Sequence, residues 1–319
     1  MSPAITLSTP PPATASRVKR IVGRIHRHTD DAKPCSLPRV VCSHNNATQP
    51  AQETDLWNAA YDALKANLST AGLVLAYESI LIQQLPTARR HGVNGSCAGI
   101  PGGPHRLKLM TAVASAGLAR ELSSKSDTGD GLARNVLVEA RETVASSLDR
   151  HPSAAIAWAG ICSLTPLLLD SLLRHQDIAQ GFLYLTANIP RFTSLPHILH
   201  RSAWQEERDY LRLREHTREA LLVLYRRILE CEMNCVCAAA STWNRAARNV
   251  VDWQGWQAMA EKMREADEEL SQDIEQYATK EAAELLRQDA KAAQGSPSEC
   301  ETENSSDVDV GVVGSGDRD

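Results

Sequence analysis

Between Thr54 and about position 289, apolar residues recur at steps of three and four. That spacing places them along one face of an α-helix. Over 55–68 they are Leu56, Ala59/Ala60, Ala63/Leu64 and Leu68. Over 70–85 they are Leu73, Ala76/Tyr77 and Ile80/Leu81, and Pro86 then stops the helix. A glycine-rich loop, 91–103, precedes Pro104, which can open a helix to about 124. A turn over 126–131 leads into an amphipathic helix at 132–148. The stretch 154–173 is the most apolar of the chain, and Pro166 is expected to bend it or split it in two. Shorter helices or irregular chain fill 176–200. Ser202 and Gln205 fit a capping box for a long helix reaching about 243, with a stripe at Tyr210, Leu213/Arg214, Thr217, Leu221, Leu224/Tyr225, Ile228, Cys231 and Cys235. A last long helix is predicted over 256–289, striped by Trp256, Met259, Met263, Ala266, Leu270, Ile274 and Tyr277. No hairpin signal and no internal repeat occurs. The pattern predicts an all-α bundle of about eight to ten helices.

The ends differ from this body. Residues 1–53 are rich in Pro, Ser, Thr and Ala and carry 7 Lys/Arg against 3 Asp/Glu. Residues 290–319 carry 2 against 7. Both ends are expected to be disordered, a basic arm and an acidic tail around a helical domain at 54–289. The arm holds a basic island, Arg17 to His28, without acidic residues. It suits a solvated arm, a targeting presequence, or a patch for a nuclear or acidic partner. The first 16 residues lack the apolar core of a secretory signal. The eight cysteines are irregularly spaced, so free thiols in a reducing compartment, the cytoplasm, are expected. A net charge of -5 argues against a nucleic-acid-coating protein. Aromatics at 4% argue against an aromatic-rich sandwich or barrel. The unbroken apolar run 154–169 has 16 residues, whereas a membrane span needs about 20. A buried central helix is the expected role, with the membrane as the alternative.

Sites for chemistry are scarce. The sequence has no Gly-x4-Gly-Lys-[Ser/Thr] phosphate loop, no Gly-x-Ser-x-Gly elbow and no His-Glu-x-x-His pair. Cys231 and Cys235 sit four apart on a helix and share a face, with Cys237 close by. On an apolar stripe they are expected to pack as small hydrophobes, with a metal or redox pair as the alternatives. His197 and His200 are expected on the surface of a short helix. Glu261, Glu265, Glu268, Glu269 and Asp273, with Lys262 and Arg264, suit a solvated helix face. No catalytic, cofactor-binding or metal residue is therefore assigned.

Five blocks carry a family resemblance. Leu56-Trp57-Asn58-Ala59-Ala60-Tyr61-Asp62-Ala63-Leu64 opens the body, and Tyr77-Glu78-Ser79-Ile80-Leu81 lies in the second helix. Ala154-Ala155-Ile156-Ala157-Trp158-Ala159-Gly160-Ile161-Cys162 and Leu224-Tyr225-Arg226-Arg227-Ile228-Leu229-Glu230-Cys231-Glu232-Met233 follow. Asp252-Trp253 and Asp273-Ile274-Glu275-Gln276-Tyr277 close the series. In this order they resemble the N-terminal domain that precedes the NACHT NTPase module in fungal NLR-like receptors. The first block has one residue more than the family's spacing, and 91–103 and 175–200 match little. Most of the aromatics in these blocks, Trp57, Tyr61, Tyr77, Trp158, Tyr225, Trp253 and Tyr277, are expected in the core.

The resemblance implies a non-enzymatic signalling or adaptor domain without an NTPase module of its own. It would act in non-self recognition or regulated cell death. Its partner would be a protein, either a NACHT-containing receptor or a second copy. Two alternatives stand beside it. One is a membrane-active executor using the basic island and the apolar 154–169 segment, and the other is a hydrolase built from scattered His and Asp.

Overall fold

In a computed structural model, residues 49–85, 100, 102–120 and 131–294 are described, and they contain twelve α-helices and no strand. The helices are α1 (Gln49–Ala66), α2 (Ala71–Gln84), α3 (Pro104–Leu118), α4 (Gly131–Arg150), α5 (Ala155–Ser163) and α6 (Pro166–Leu173). They continue with α7 (Gln176–Ala187), α8 (Ile189–Ser194), α9 (Glu207–Ala240), α10 (Arg245–Val250), α11 (Trp256–Tyr277) and α12 (Lys280–Gln294). Short 3-10 turns cover Pro152–Ala154, Leu195–Leu199 and Arg201–Ala203. The basic island, the acidic tail beyond 294, most of the glycine-rich loop and the 126–130 turn lie outside the described residues, while 290–294, expected to be disordered, belong to α12.

The axis of the bundle is α9. At 1.5 Å per residue its 34 residues run about 51 Å. Helices α1, α2, α5, α6, α7, α10 and α11 all pack against it. Its N-terminal half is amphipathic, but every residue from Cys231 to Ala240 is buried. A helix that is apolar all round must be enclosed on all sides. Helix α5 is likewise buried at each of its nine positions, between α3 and α9. No described helix is long and apolar enough to cross a membrane.

Pro166 does split the apolar stretch. Thr165 takes an extended conformation and caps α6, its side chain accepting from the Leu168 N–H, and Pro166 takes the first helical position. There its missing N–H breaks no hydrogen bond.

Three expectations are corrected. Helix α1 starts at Gln49, six residues before the predicted start. Ser202 and Gln205 do not cap α9; Ser202 lies in a 3-10 turn, and α9 starts at Glu207. Instead Trp204 bridges to Ala278, and Gln205 pairs with the end of α11, its N–H donating to Tyr277 O at 3.1 Å and Nε2 to Ala278 O at 2.6 Å. The same bridge breaks the last long helix. Ala278 becomes extended, the Thr279 N–H donates to Ala203 O at 2.8 Å, and Thr279 Oγ1 caps α12 by accepting from Ala282 N–H. A β-type pairing and a threonine cap thus replace one helix by α11 and α12, without proline or glycine.

The core centres on aromatic rings from three helices. Trp57 of α1 stacks on Tyr225 of α9, with centroids 3.7 Å apart, and meets Trp158 of α5 edge-on at 5.9 Å. Trp158 Nε1 donates to Thr193 Oγ1 at 3.1 Å, and Tyr225 Oη donates to Phe192 O at 2.9 Å. Both bonds reach α8, so the polar handles of the rings are satisfied while their faces are buried. Trp253 departs from the expected core set: it lies in the turn before α11 and is 46% exposed. Tyr277 is half-buried. Trp57→Ala should therefore cost about 3–5 kcal/mol of stability, whereas Trp253→Ala should stay within about 1 kcal/mol. Urea unfolding of the two variants checks the contrast.

Candidate functional site

The charged residues inside this apolar frame sit where helices meet. Glu78 of α2 is 1% exposed. Its Oε1 accepts from Tyr61 Oη at 3.1 Å and from Lys65 Nζ at 2.9 Å, and its Oε2 accepts from the Ile100 N–H at 2.9 Å. Lys65 Nζ also donates to Ile100 O at 3.0 Å. Beside it the buried Arg106 of α3 donates to Asn58 Oδ1 at 2.7 Å and to Asp62 Oδ1 at 2.5 Å. The guanidinium lies 4.2 Å from the centroid of the Tyr61 ring. Burial, then the Glu78 charge, pushes the Tyr61 phenol well above its ordinary range. This cluster fastens α1, α2, α3 and position 100 together.

A second site lies where α2, α5 and α9 cross. Glu232 is fully buried, and its Oε1 accepts from the Ile161 N–H at 3.3 Å. Gly160 lets this approach happen. A Cβ there would stand 2.6 Å from Glu232 Oε1 and 2.9 Å from Tyr77 Oη. The Tyr77 hydroxyl sits beside the Glu232 carboxyl, and both side chains are closed off from water. Burial drives the Glu232 carboxyl well above the usual carboxylate range, only partly opposed by the Ile161 and Gly160 N–H groups. The site favours the neutral acid.

The thiols surround this acid. Cys162 and Cys237 are pushed up to about 12 by burial. Cys235 is pushed up by its hydrogen bond to Cys231 and by burial. With Cys231 these are free and buried, as the apolar stripe predicts, and a thiol held protonated is a poor nucleophile. The other four cysteines lie outside the described residues. Among the described residues no group of three or more His, Cys, Asp or Glu is arranged to hold a metal ion.

A third cluster joins α8 to α11. Arg191 donates to Asp267 Oδ1 through Nε at 3.2 Å and Nη2 at 2.9 Å, and to Ser271 Oγ at 2.6 Å. Tyr184 of α7 donates to Asp267 Oδ2 at 2.9 Å. Burial and then the Asp267 charge raise the Tyr184 phenol. Arg141 of α4 closes the C-terminus of α3, donating to the carbonyls of Gly117, Leu118 and Arg120. Those are the acceptors a helix end leaves unpaired.

His197 and His200 do lie together, with ring centroids 6.1 Å apart, but both are half-buried, and His151 joins His197 at 5.4 Å from the end of α4. Glu261, Glu265, Glu268 and Glu269 of α11 are solvated as expected, whereas Asp273 is half-buried near His216. A cleft of about 500 Å³ lies between α4 and the α7–α8 pair, walled by Val136, Glu139, Thr143, Arg150, Leu183 and Pro190. None of the buried acids, phenols or thiols lines it.

Four of the five sequence blocks therefore meet in space, and the closing block, with Trp253 exposed and Tyr277 half-buried, stands apart from them. Block aromatics Trp57, Trp158 and Tyr225 form the ring stack, and Tyr77, Gly160 and Glu232 form the acid site. The family model of the N-terminal domain of NWD NACHT-NTPase matches residues 53–294. The chain belongs to this family. No curated protein and no solved structure matches it.

In this NACHT_N domain, Glu78, Arg106, Arg141, Arg191, Glu232 and Asp267 are the residues that sequence reasoning passed over. One signal was available for Glu232: it is the lone charge between Cys231 and Ala240, a stretch with no polar face to carry it.

The unfolded Glu232 carboxyl loses its proton near the ordinary value, whereas the folded one retains it. The stability this residue contributes is full below the unfolded value and declines with rising pH, by about 1.4 kcal/mol per unit, until the folded group titrates. Glu232→Gln keeps the neutral shape, so its stability relative to the parent chain should increase between pH 5 and pH 8 in urea unfolding. Gly160→Ala should destabilise at every pH, by about 1–3 kcal/mol. Alkylation followed by peptide mapping should leave Cys162, Cys231, Cys235 and Cys237 unmodified in the native protein and modified in urea.

Proposed function

We propose that this NACHT_N domain is a non-enzymatic association module acting in fungal non-self recognition or regulated cell death, in the cytoplasm. Its partner is a protein: the corresponding domain of a NACHT receptor, or a second copy of itself. The match of residues 53–294 to the N-terminal domain of NWD NACHT-NTPase carries this reading. The use of the interior supports it. Tyr61, Glu78, Arg106, Arg191 and Asp267 are spent on bonds between helices, and the thiols of Cys162, Cys235 and Cys237 are held protonated in the core. The surface offers what association needs, with long helices exposing Leu75, Leu211, Val223 and charged residues.

The test is induced proximity. The domain is fused to a drug-dimerised module and expressed in host cells. Adding the drug should lower viability or switch on a stress reporter, and the drug-dimerised module without the domain should not respond. Absence of any response from a folded, expressed fusion counts against the reading. Turnover of an ester or nucleotide panel by the purified domain, well above the buffer rate, would overturn it.

A further inference from the structure

One end of the bundle is both apolar and cationic. Leu68, in the turn between α1 and α2, is 97% exposed; Leu75 on α2 is 49%, Trp243 48% and Trp253 46% exposed. Helix α10 packs on α2 and α9, and Gly72 faces Val250. The α1–α2 turn, the start of α2 and the two tryptophan turns that flank α10 therefore belong to the same end. Within 66–77 and 240–255 the charged residues are Arg245, Arg248 and Asp252. Asp252 Oδ1 accepts from the Gln254 and Gly255 N–H groups, which turns the chain into α11. Both arginines are exposed, and Arg248 is held by the Ser241 and Thr242 carbonyls. Exposed indoles beside exposed guanidinium groups, one of them fixed, are the composition of interface anchors.

The complement is on the same chain. Three residues after Trp253, α11 begins, and Glu261, Glu265, Glu268 and Glu269 are exposed along it, with Lys262 and Arg264 exposed at the two edges of their stripe, which leaves the face net acidic. A surface that carries a cationic indole patch and an acidic helix face in succession is complementary to itself. A two-fold axis sets the patch of one copy against the acidic face of the other, twice over. We propose that the occupant of this surface is a second copy of the chain, in a weak isologous dimer. The four indoles form its apolar centre, and Arg245 and Arg248 face the α11 glutamates of the partner. This rests on reading the domain as an association module and names its partner. The charges set register and association rate more than affinity.

Sedimentation of the full chain over a concentration series tests it. The expected result is a reversible monomer–dimer equilibrium near about 10 µM that weakens with salt. The pairs R245E/R248E and E261R/E265R should each weaken it by about tenfold or more. An equimolar mixture of the two should restore much of it, because the reversed positions 245/248 and 261/265 again meet as opposite charges across the mixed dimer. Trp243→Ser with Trp253→Ser should abolish the dimer, while circular dichroism shows the fold unchanged. A chain that is monomeric throughout overturns the proposal, as do charge variants that dimerise like the parent or fail to recover on mixing. A monomeric chain that still gives the drug-induced response leaves the association reading standing, whereas loss of both removes it too.

Discussion

How closely α5 can approach its neighbours decides the rest of the fold. Every one of its nine residues is buried, so each neighbour must fit against it at short range. Gly160 allows Tyr77 of α2 and Glu232 of α9 to reach its backbone, since a Cβ would fall 2.6 Å from the Glu232 carboxyl. On the other side Gly117 of α3 faces the Cys162 carbonyl, where a Cβ would stand 2.2 Å away. Two glycines on crossing helices thus set the spacing of α2, α3, α5 and α9. Trp158, one turn from these contacts, then meets the Trp57–Tyr225 stack and bonds to Thr193.

The interior polar groups follow from that packing. With apolar surfaces closed, a charged side chain persists inside only when paired or neutral. Glu78, Arg106, Arg191 and Asp267 satisfy the first condition, each bonded to a residue on another helix. Glu232 satisfies the second, held as the neutral acid by desolvation. Removing one partner of a buried pair leaves an uncompensated charge, which is strongly destabilising. These groups therefore make the helix arrangement specific.

Much of this was legible in the chain. The 3.6-residue stripes gave the helices, and Pro166 gave the split between α5 and α6, because a missing N–H is a local rule. Trp57, Tyr61, Tyr77, Trp158 and Tyr225 declared themselves as core through periodicity. The break at Ala278 did not, because its cause is a bridge to Trp204, more than seventy positions earlier. Local pattern carries no information about such a partner, although Thr279 is a sound helix cap in hindsight. Trp253 looked like core because it is an aromatic of a family block, yet it sits in a turn whose backbone bonds to Asp252 and leaves the indole half in solvent. The ion pairs were illegible for the same reason as the bridge, since Arg106–Asp62 and Arg191–Asp267 join positions 44 and 76 residues apart.

The central claim is that the ionisable residues of the interior are locked into the helix frame, with Glu232 held as a neutral acid beneath Gly160. Carbon-13 labelling of the glutamate carboxyls, followed by NMR through a pH titration of the native protein, tests it most directly. One carboxyl resonance should keep the chemical shift of a protonated acid at neutral pH, while the exposed glutamates titrate in the usual range, and that resonance should vanish in Glu232→Gln. If every glutamate carboxyl titrates with the exposed set, the crossing of α2, α5 and α9 is open to water and the account is wrong.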